Sequence, residues 1–145
     1  MKYEYTIGQV AKSAGCKVQT IRYYEQIGLL PNPIRSEGNQ RLYSNRDVHR
    51  LSFIRHARDL GFPLQAVRDL ISISDSPDHA CEAADEIAET QLKDVRARIQ
   101  RLQALEKELS RMLDHCHGGK ASDCLVLETL SDHSLCVTED HKNPA

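Results

Sequence analysis

Two thiols and two imidazoles fall within the eleven residues DHCHGGKASDC, from Asp114 to Cys124: His115, Cys116, His117 and Cys124. A third thiol, Cys81, stands far upstream with His79 two positions before it. A thiol beside an imidazole base can be a nucleophile, but no orienting acid stands at a telling position here. A disulfide between Cys116 and Cys124 would close a short loop. The chain carries five cysteines, an odd number, and its start, MKYEYTIGQV, is no apolar secretion signal. Both facts point to a reducing cytoplasm, where clustered cysteines more often serve metal or redox chemistry. A passive solvated turn is the third reading, and metal binding is the expected one. Thiolates favour soft or borderline ions such as Cu(I), Zn(II), Cd(II), Pb(II) and Hg(II). Gly118 and Gly119 let the chain reverse so that Cys116 and Cys124 face one ion. Cys116 follows a helix C-terminus, where the dipole disfavours a thiolate, so metal binding and thiol ionisation should be coupled.

The element before this loop sets its reach. From about Glu82 to Met112 there is neither Pro nor Gly, and an apolar series runs Ile87, Leu92, Val95, Ile99, Leu102, Leu105, Leu109, Met112. Steps of three and four dominate, as in a coiled-coil seam, with one three-three slip at Leu102–Leu105. A single stripe on a helix of ~30 residues needs a partner. No second helix of matching length exists in the chain, so self-association is the economical reading. At 1.5 Å per residue the helix spans about 45 Å, which keeps Cys81 and Cys116 of one chain from sharing an ion. After the loop, CLVLETLS reads as a short helix whose Leu125, Val126, Leu127 and Leu130 fold back on the long one.

The front half carries different chemistry. Net charge is −2, but residues 1–70 are net +5 and residues 71–145 net −7. A basic front on an acidic back suggests nucleic-acid contact at one end. TIGQVAKSAG reads as a helix with Thr6 as N-cap, Ile7, Val10 and Ala11 on one face, and Gly15 as its exit. A second helix runs from about Val18 to Gln26, and Gly28 stops it. Two short helices about a Gly turn make a helix-turn-helix unit, whose second helix can enter a DNA major groove. Pro31 and Pro33 then break the helix, Glu37-Gly38-Asn39 turns the chain, and Arg41-Leu42-Tyr43 returns it as a two-stranded wing. Two more helices follow. Ser44 or Asn45 caps the first, with Val48, Leu51, Phe53, Ile54 and Ala57 expected to be buried; Gly61-Phe62-Pro63 turns; Leu64, Val67, Leu70 and Ile71 form the apolar face of the second. No run approaches the ~18 apolar residues of a membrane span, and a lean apolar supply with no Trp and two Phe argues against one large core.

The stretches IRYYEQIGLL, RSEGNQRLYS and FIRHARDLGFPLQAVRDLI resemble the MerR family of bacterial transcription regulators, over roughly residues 5–130. The resemblance implies a mainly α protein: a winged helix-turn-helix DNA-binding domain (1–72), a linker (73–81), a long antiparallel dimerisation helix (82–113), and a metal-binding loop with a short helix (114–131). A disordered tail (132–145) holding His133, Cys136 and His141 would follow. It implies a homodimer on promoter DNA that engages RNA polymerase, no enzyme and no membrane. Carried over by position, Arg22, Tyr23 and Tyr24 of the recognition helix, Arg35, Arg41 and Tyr43 of the wing, and Arg58 match family DNA contacts. One of Tyr23 and Tyr24 is expected in the core, Arg55 and Arg68 in solvent or ion pairs, and Cys16 as a small buried residue.

A cysteine, a short loop, a second cysteine and an apolar helix also resemble the family's heavy-metal branch. The antiparallel sense that the family implies sets Cys81 of one subunit beside Cys116 and Cys124 of the other. Copper(I) sensors use the two loop thiols with the same gap as here; zinc, cadmium and lead sensors add the upstream thiol present as Cys81. A divalent ion wants three or four ligands. Cys81 therefore weighs towards Zn, Cd or Pb, with His117 (or His115 or His79) as a fourth ligand, and Cu(I) as the alternative. The family further implies that metal distorts an over-long promoter spacer and switches on an efflux or resistance gene. A metal-free redox or small-molecule sensor is the competing class. The first would want four clustered cysteines near the loop; the second would want a large domain after the long helix.

Overall fold

The computed structural model describes residues 2–78, 81–114, 119–121 and 124–136. The chain forms two compact units, Met1–Ile87 and Ala88–Ala145. The stretch read as a linker and the first turns of the long helix thus group with the front unit.

In the front unit local signals become elements almost residue for residue. Thr6 closes a capping box over α1 (Ile7–Ala14): its hydroxyl accepts from the Gln9 amide while the Gln9 side chain accepts from the Thr6 amide. Two orphan donors of the first turn are thereby satisfied. Gly15 ends α1 at φ +67°, a left-handed exit that costs any other L-residue strain. α2 (Val18–Gln26) follows. β2 (Ile34–Arg35) and β3 (Arg41–Ser44) form the wing hairpin, with Arg35 opposite Arg41. Asn39 takes φ 63° in its turn, a conformation Asn tolerates better than most residues. Ser44 makes a second capping box with Asp47 to start α3 (Asn45–Asp59), and α4 (Leu64–Ser74) follows.

One element was not expected. Tyr3–Thr6 forms β1, antiparallel to β3 with Tyr5 opposite Tyr43, so the wing is part of a three-stranded sheet ordered β1-β3-β2. Val10, Ile21, Leu51, Ile54 and Val67 are fully buried at the centre of the unit. Leu64 and Ile71 pack partly against it. Phe53, expected in this core, is exposed. Its neighbours Val48, Leu51, Ile54 and Ala57 already fill the inner face of α3, and Phe53 falls outside that arc.

Arginines tie the helices together. Arg55 donates to the Ala14 carbonyl (3.1 Å) and Arg68 to the Ile27 carbonyl (2.7 Å), each satisfying an acceptor at a helix C-terminal end. Both side chains are exposed, as expected, and Arg55 adds a long contact with Asp59. Arg50 pairs with Asp75, the C-cap of α4, at 2.6 Å.

The second unit is built on α5, which runs Glu82–Asp114 for 33 residues. The single stripe read from the sequence divides into two faces. Leu92, Ile99, Leu102, Leu109 and Leu113 are 46–66% exposed, and at 100° per residue they fall within an arc of about 100°. Met112 and Glu108, each 5% exposed, lie on the adjoining face with half-buried Leu105. The three-three slip at Leu102–Leu105 is the step from one face to the other.

The C-terminal residues cover part of that second face. α6 (Leu125–Ser131) leads to a 3-10 turn at His133–Leu135, and Arg111 pairs with Glu108 (2.5 Å) and donates to the Leu135 carbonyl (3.0 Å). Burial and the Glu108 carboxylate push the Cys136 thiol pKa above its ordinary value. Leu135 and Cys136, in the stretch read as the start of a disordered tail, thus lie against α5. Leu127 and Leu130, expected to fold inward, are 50% and 74% exposed.

Candidate nucleic-acid interface and metal-binding residues

α2 and the wing bring the sequence-predicted cations to two shallow grooves in the front unit. One, of about 400 Å³, is lined by Thr6, Ile7, Arg22, Arg35, Asn39, Gln40 and Arg41. α2 supplies Arg22, β2 Arg35 and β3 Arg41, so three distant sequence positions meet around one concavity. Guanidinium groups present forked donors that match phosphate oxygens. The second groove, of about 280 Å³, gathers Gln19, Thr20, Tyr23, Tyr24, Arg58 and Leu64. Arg58 donates to the Phe62 carbonyl (2.9 Å), which anchors it in the turn between α3 and α4. Tyr23 is 47% exposed, with its ring tilted against that of Tyr24.

Two of the expected contacts are core side chains. Tyr24 is 8% exposed and Tyr43 1%. Burial raises the pKa of both phenols, most strongly that of Tyr43, whose hydroxyl donates to Glu25. The Tyr43 side chain therefore belongs to the packing beneath the wing rather than to its contact surface. The reason is the sheet: β3 is its central strand, and the Tyr43 side chain is buried with its hydroxyl on Glu25 of α2. Glu25 is the residue missing from the expected contact set. Its carboxylate also pairs with Arg41 Nε at 3.2 Å, with the Glu25 side chain 7% exposed. An acid on a basic surface carries no composition signal, although its place on α2 next to Tyr24 was legible.

Of the expected metal ligands, His79, His115, Cys116 and His117 lie outside the described residues. Cys81 is exposed, just before the first turn of α5, and its thiol donates weakly to Asp85 at 3.9 Å. Cys124 is half-buried at the N-cap of α6. Cys16, expected to be buried, is only half-buried, with its thiol towards the Ala14 carbonyl at 3.7 Å, and burial raises its pKa. Thiols of this kind suit soft or borderline ions. No described helix is long and apolar enough to cross a membrane.

Comparison with known proteins places this architecture. The model of the MerR HTH family regulatory proteins matches residues 5–72, and that of the MerR DNA-binding region matches residues 48–112. The chain is 43% identical over 129 residues to the HTH-type transcriptional regulator ZntR of Escherichia coli K12, covering 87% of this chain and 92% of that one. Its structure resembles that of the transcription regulator PbrR691 from Ralstonia metallidurans CH34 in complex with lead(II): TM-score 0.75, 38% identity, 88% and 99% covered. It also resembles HiNmlR, a MerR family regulator lacking the sensor domain, bound to promoter DNA: TM-score 0.61, 26% identity, 84% and 92% covered. With its winged helix-turn-helix unit and long helix, the chain belongs to the MerR family of DNA-binding transcription regulators and is not an enzyme.

Proposed function

We propose that the protein is a cytoplasmic homodimer that binds promoter DNA and activates a heavy-metal efflux or resistance gene when it takes up a soft divalent ion, Zn, Cd or Pb. The observation that carries the reading is Cys81, an exposed thiol at the start of a helix with an exposed apolar stripe. A 33-residue helix spans about 50 Å, so thiols before and after it do not share an ion within one chain. In an antiparallel pair each helix start meets the other helix's end. Cys116 and Cys124 of one subunit then join Cys81 of the partner subunit, and His117 offers a fourth donor. The identities to ZntR and to lead-bound PbrR691 support a heavy-metal ligand.

In this reading Arg22, Arg35, Arg41 and Arg58 hold phosphates and position the dimer, and exposed Tyr23 reaches into the groove beside α2. The bound ion would join the two ends of the dimer and so favour one of two DNA-bound arrangements. The two winged units then distort the promoter so that RNA polymerase engages it. Cys81→Ser is expected to abolish zinc and cadmium induction of a reporter while leaving DNA binding intact. Full divalent induction in that variant refutes the shared site. The seven-residue gap between Cys116 and Cys124 favours a second reading, a linear Cu(I) site using those two thiols alone. In that case Cys81→Ser leaves induction by Cu(I) unchanged.

A further inference from the structure

We propose that Glu25 is a positioning residue for DNA binding: its carboxylate locks the wing to the recognition helix and aims Arg41 into the groove it shares with Arg22 and Arg35. This rests on the reading of α2 and the wing as the DNA-contacting surface.

Glu25 sits in the last turn of α2 with its side chain 7% exposed. A carboxylate so covered is tolerated only when paired, and the two oxygens of Glu25 take different partners on one strand. Oε2 accepts from Arg41 Nε at 3.2 Å, and Oε1 accepts from the Tyr43 hydroxyl. Arg41 and Tyr43 are two apart on β3, hence on one face of it, so one side chain grips the strand at two points. The grip consumes Nε of Arg41 and leaves its two terminal nitrogens, four of its five donors, for an outside acceptor. Arg41 also lies directly opposite Arg35 across the hairpin. Like charges in that register repel, and the Glu25 carboxylate paired with Arg41 offsets the repulsion.

Simple charge counting and positioning predict opposite signs. An acid near a phosphate backbone repels it, so removing the acid should tighten binding. If Glu25 positions Arg41, removing it loosens the wing, releases Arg41 and weakens binding. The test measures binding to a mixed-sequence DNA duplex by fluorescence anisotropy across a range of salt. It uses the full-length protein and its Glu25→Gln, Arg41→Ala, doubly substituted and Tyr43→Phe variants.

Glu25→Gln is expected to weaken binding roughly tenfold, the scale of one charge-assisted hydrogen bond. It should also flatten the salt slope by about 0.9, one phosphate contact. Arg41→Ala should do the same, and the double variant should lose no more than either single one. Tyr43→Phe removes one oxygen and one limb of the grip, and should fall between the wild type and Glu25→Gln. A merely structural role would lower the melting temperature without moving the salt slope. Equal or tighter binding by Glu25→Gln with an unchanged slope overturns the proposal, as does additive loss in the double variant. If Glu25→Gln fails to fold, wild-type affinity and slope in Tyr43→Phe overturn it. Absence of salt-dependent duplex binding by the wild type would instead refute the DNA-binding reading beneath it.

Discussion

Leu102→Ala isolates the exposed face of α5. Leu102 is 64% exposed, so its loss leaves no cavity within one chain. Alanine is the better helix former, so α5 itself is not weakened. Only contact with a second helix should suffer. The substitution removes three carbon groups, each worth about 0.8 kcal/mol on burial. With nearly two-thirds of the side chain still to be covered, the loss is about 1.5 kcal/mol per subunit, or about 3 kcal/mol per dimer. That raises the dimer dissociation constant on the order of a hundredfold. Sedimentation equilibrium on the metal-free, reduced protein reads it directly. Gln100→Ala is the control, since Gln100 stands about 160° round the helix from Leu102 and should leave the constant unchanged. An unaltered constant for Leu102→Ala, or an equal shift for Gln100→Ala, would refute the assignment of this face to self-association.

Gly15→Ala should cost about 2–3 kcal/mol, combining a forced left-handed residue with a displaced hydrogen bond. The new methyl would meet the Arg55 guanidinium that caps α1, and a lowered melting temperature checks it. Stability should also fall at alkaline pH. The Tyr43 phenol keeps its proton in the folded state above its ordinary value of 10.0. That stabilisation is complete below pH 10 and is lost as pH rises towards the folded-state value. Tyr43→Phe should flatten the alkaline fall in melting temperature. Tyr24, shifted in the same direction, leaves a residue of it, and an unchanged fall in the variant would contradict the burial argument.

How far the sequence reached depended on how local each signal was. Thr6 with Gln9, Gly15, Ser44 with Asp47, and the Glu37-Gly38-Asn39 turn are contained within a few residues, and α1, α2, the wing turn and the start of α3 were legible from them. β1 was not. Four residues are too few for a periodic signal, and the partner strand lies some forty positions on. The burial of Tyr43 follows from that same distant pairing, which is why it read as a wing contact. The apolar series of α5 was visible, but a linear pattern cannot show that Leu105 and Met112 are covered while Leu102 and Leu109 stay exposed. That required the chain end to return to Glu108 and Arg111. The expectation that Arg22, Arg35 and Arg41 contact DNA came from family resemblance, and their convergence round one groove depends on the three-stranded sheet. The Glu25 grip is a tertiary contact over sixteen and eighteen positions, with no local trace.

The central claim is a metal site completed by Cys81 of the partner subunit. Its most direct test is titration of the reduced protein and its Cys81→Ser variant with Zn(II), Cd(II), Pb(II) and Cu(I), following thiolate-to-metal absorption and stoichiometry. The predicted result is a divalent ion bound through three thiolates in the wild type, with divalent affinity lost in Cys81→Ser and Cu(I) binding retained. Divalent binding of equal strength and equal thiolate absorption in the two proteins would contradict it.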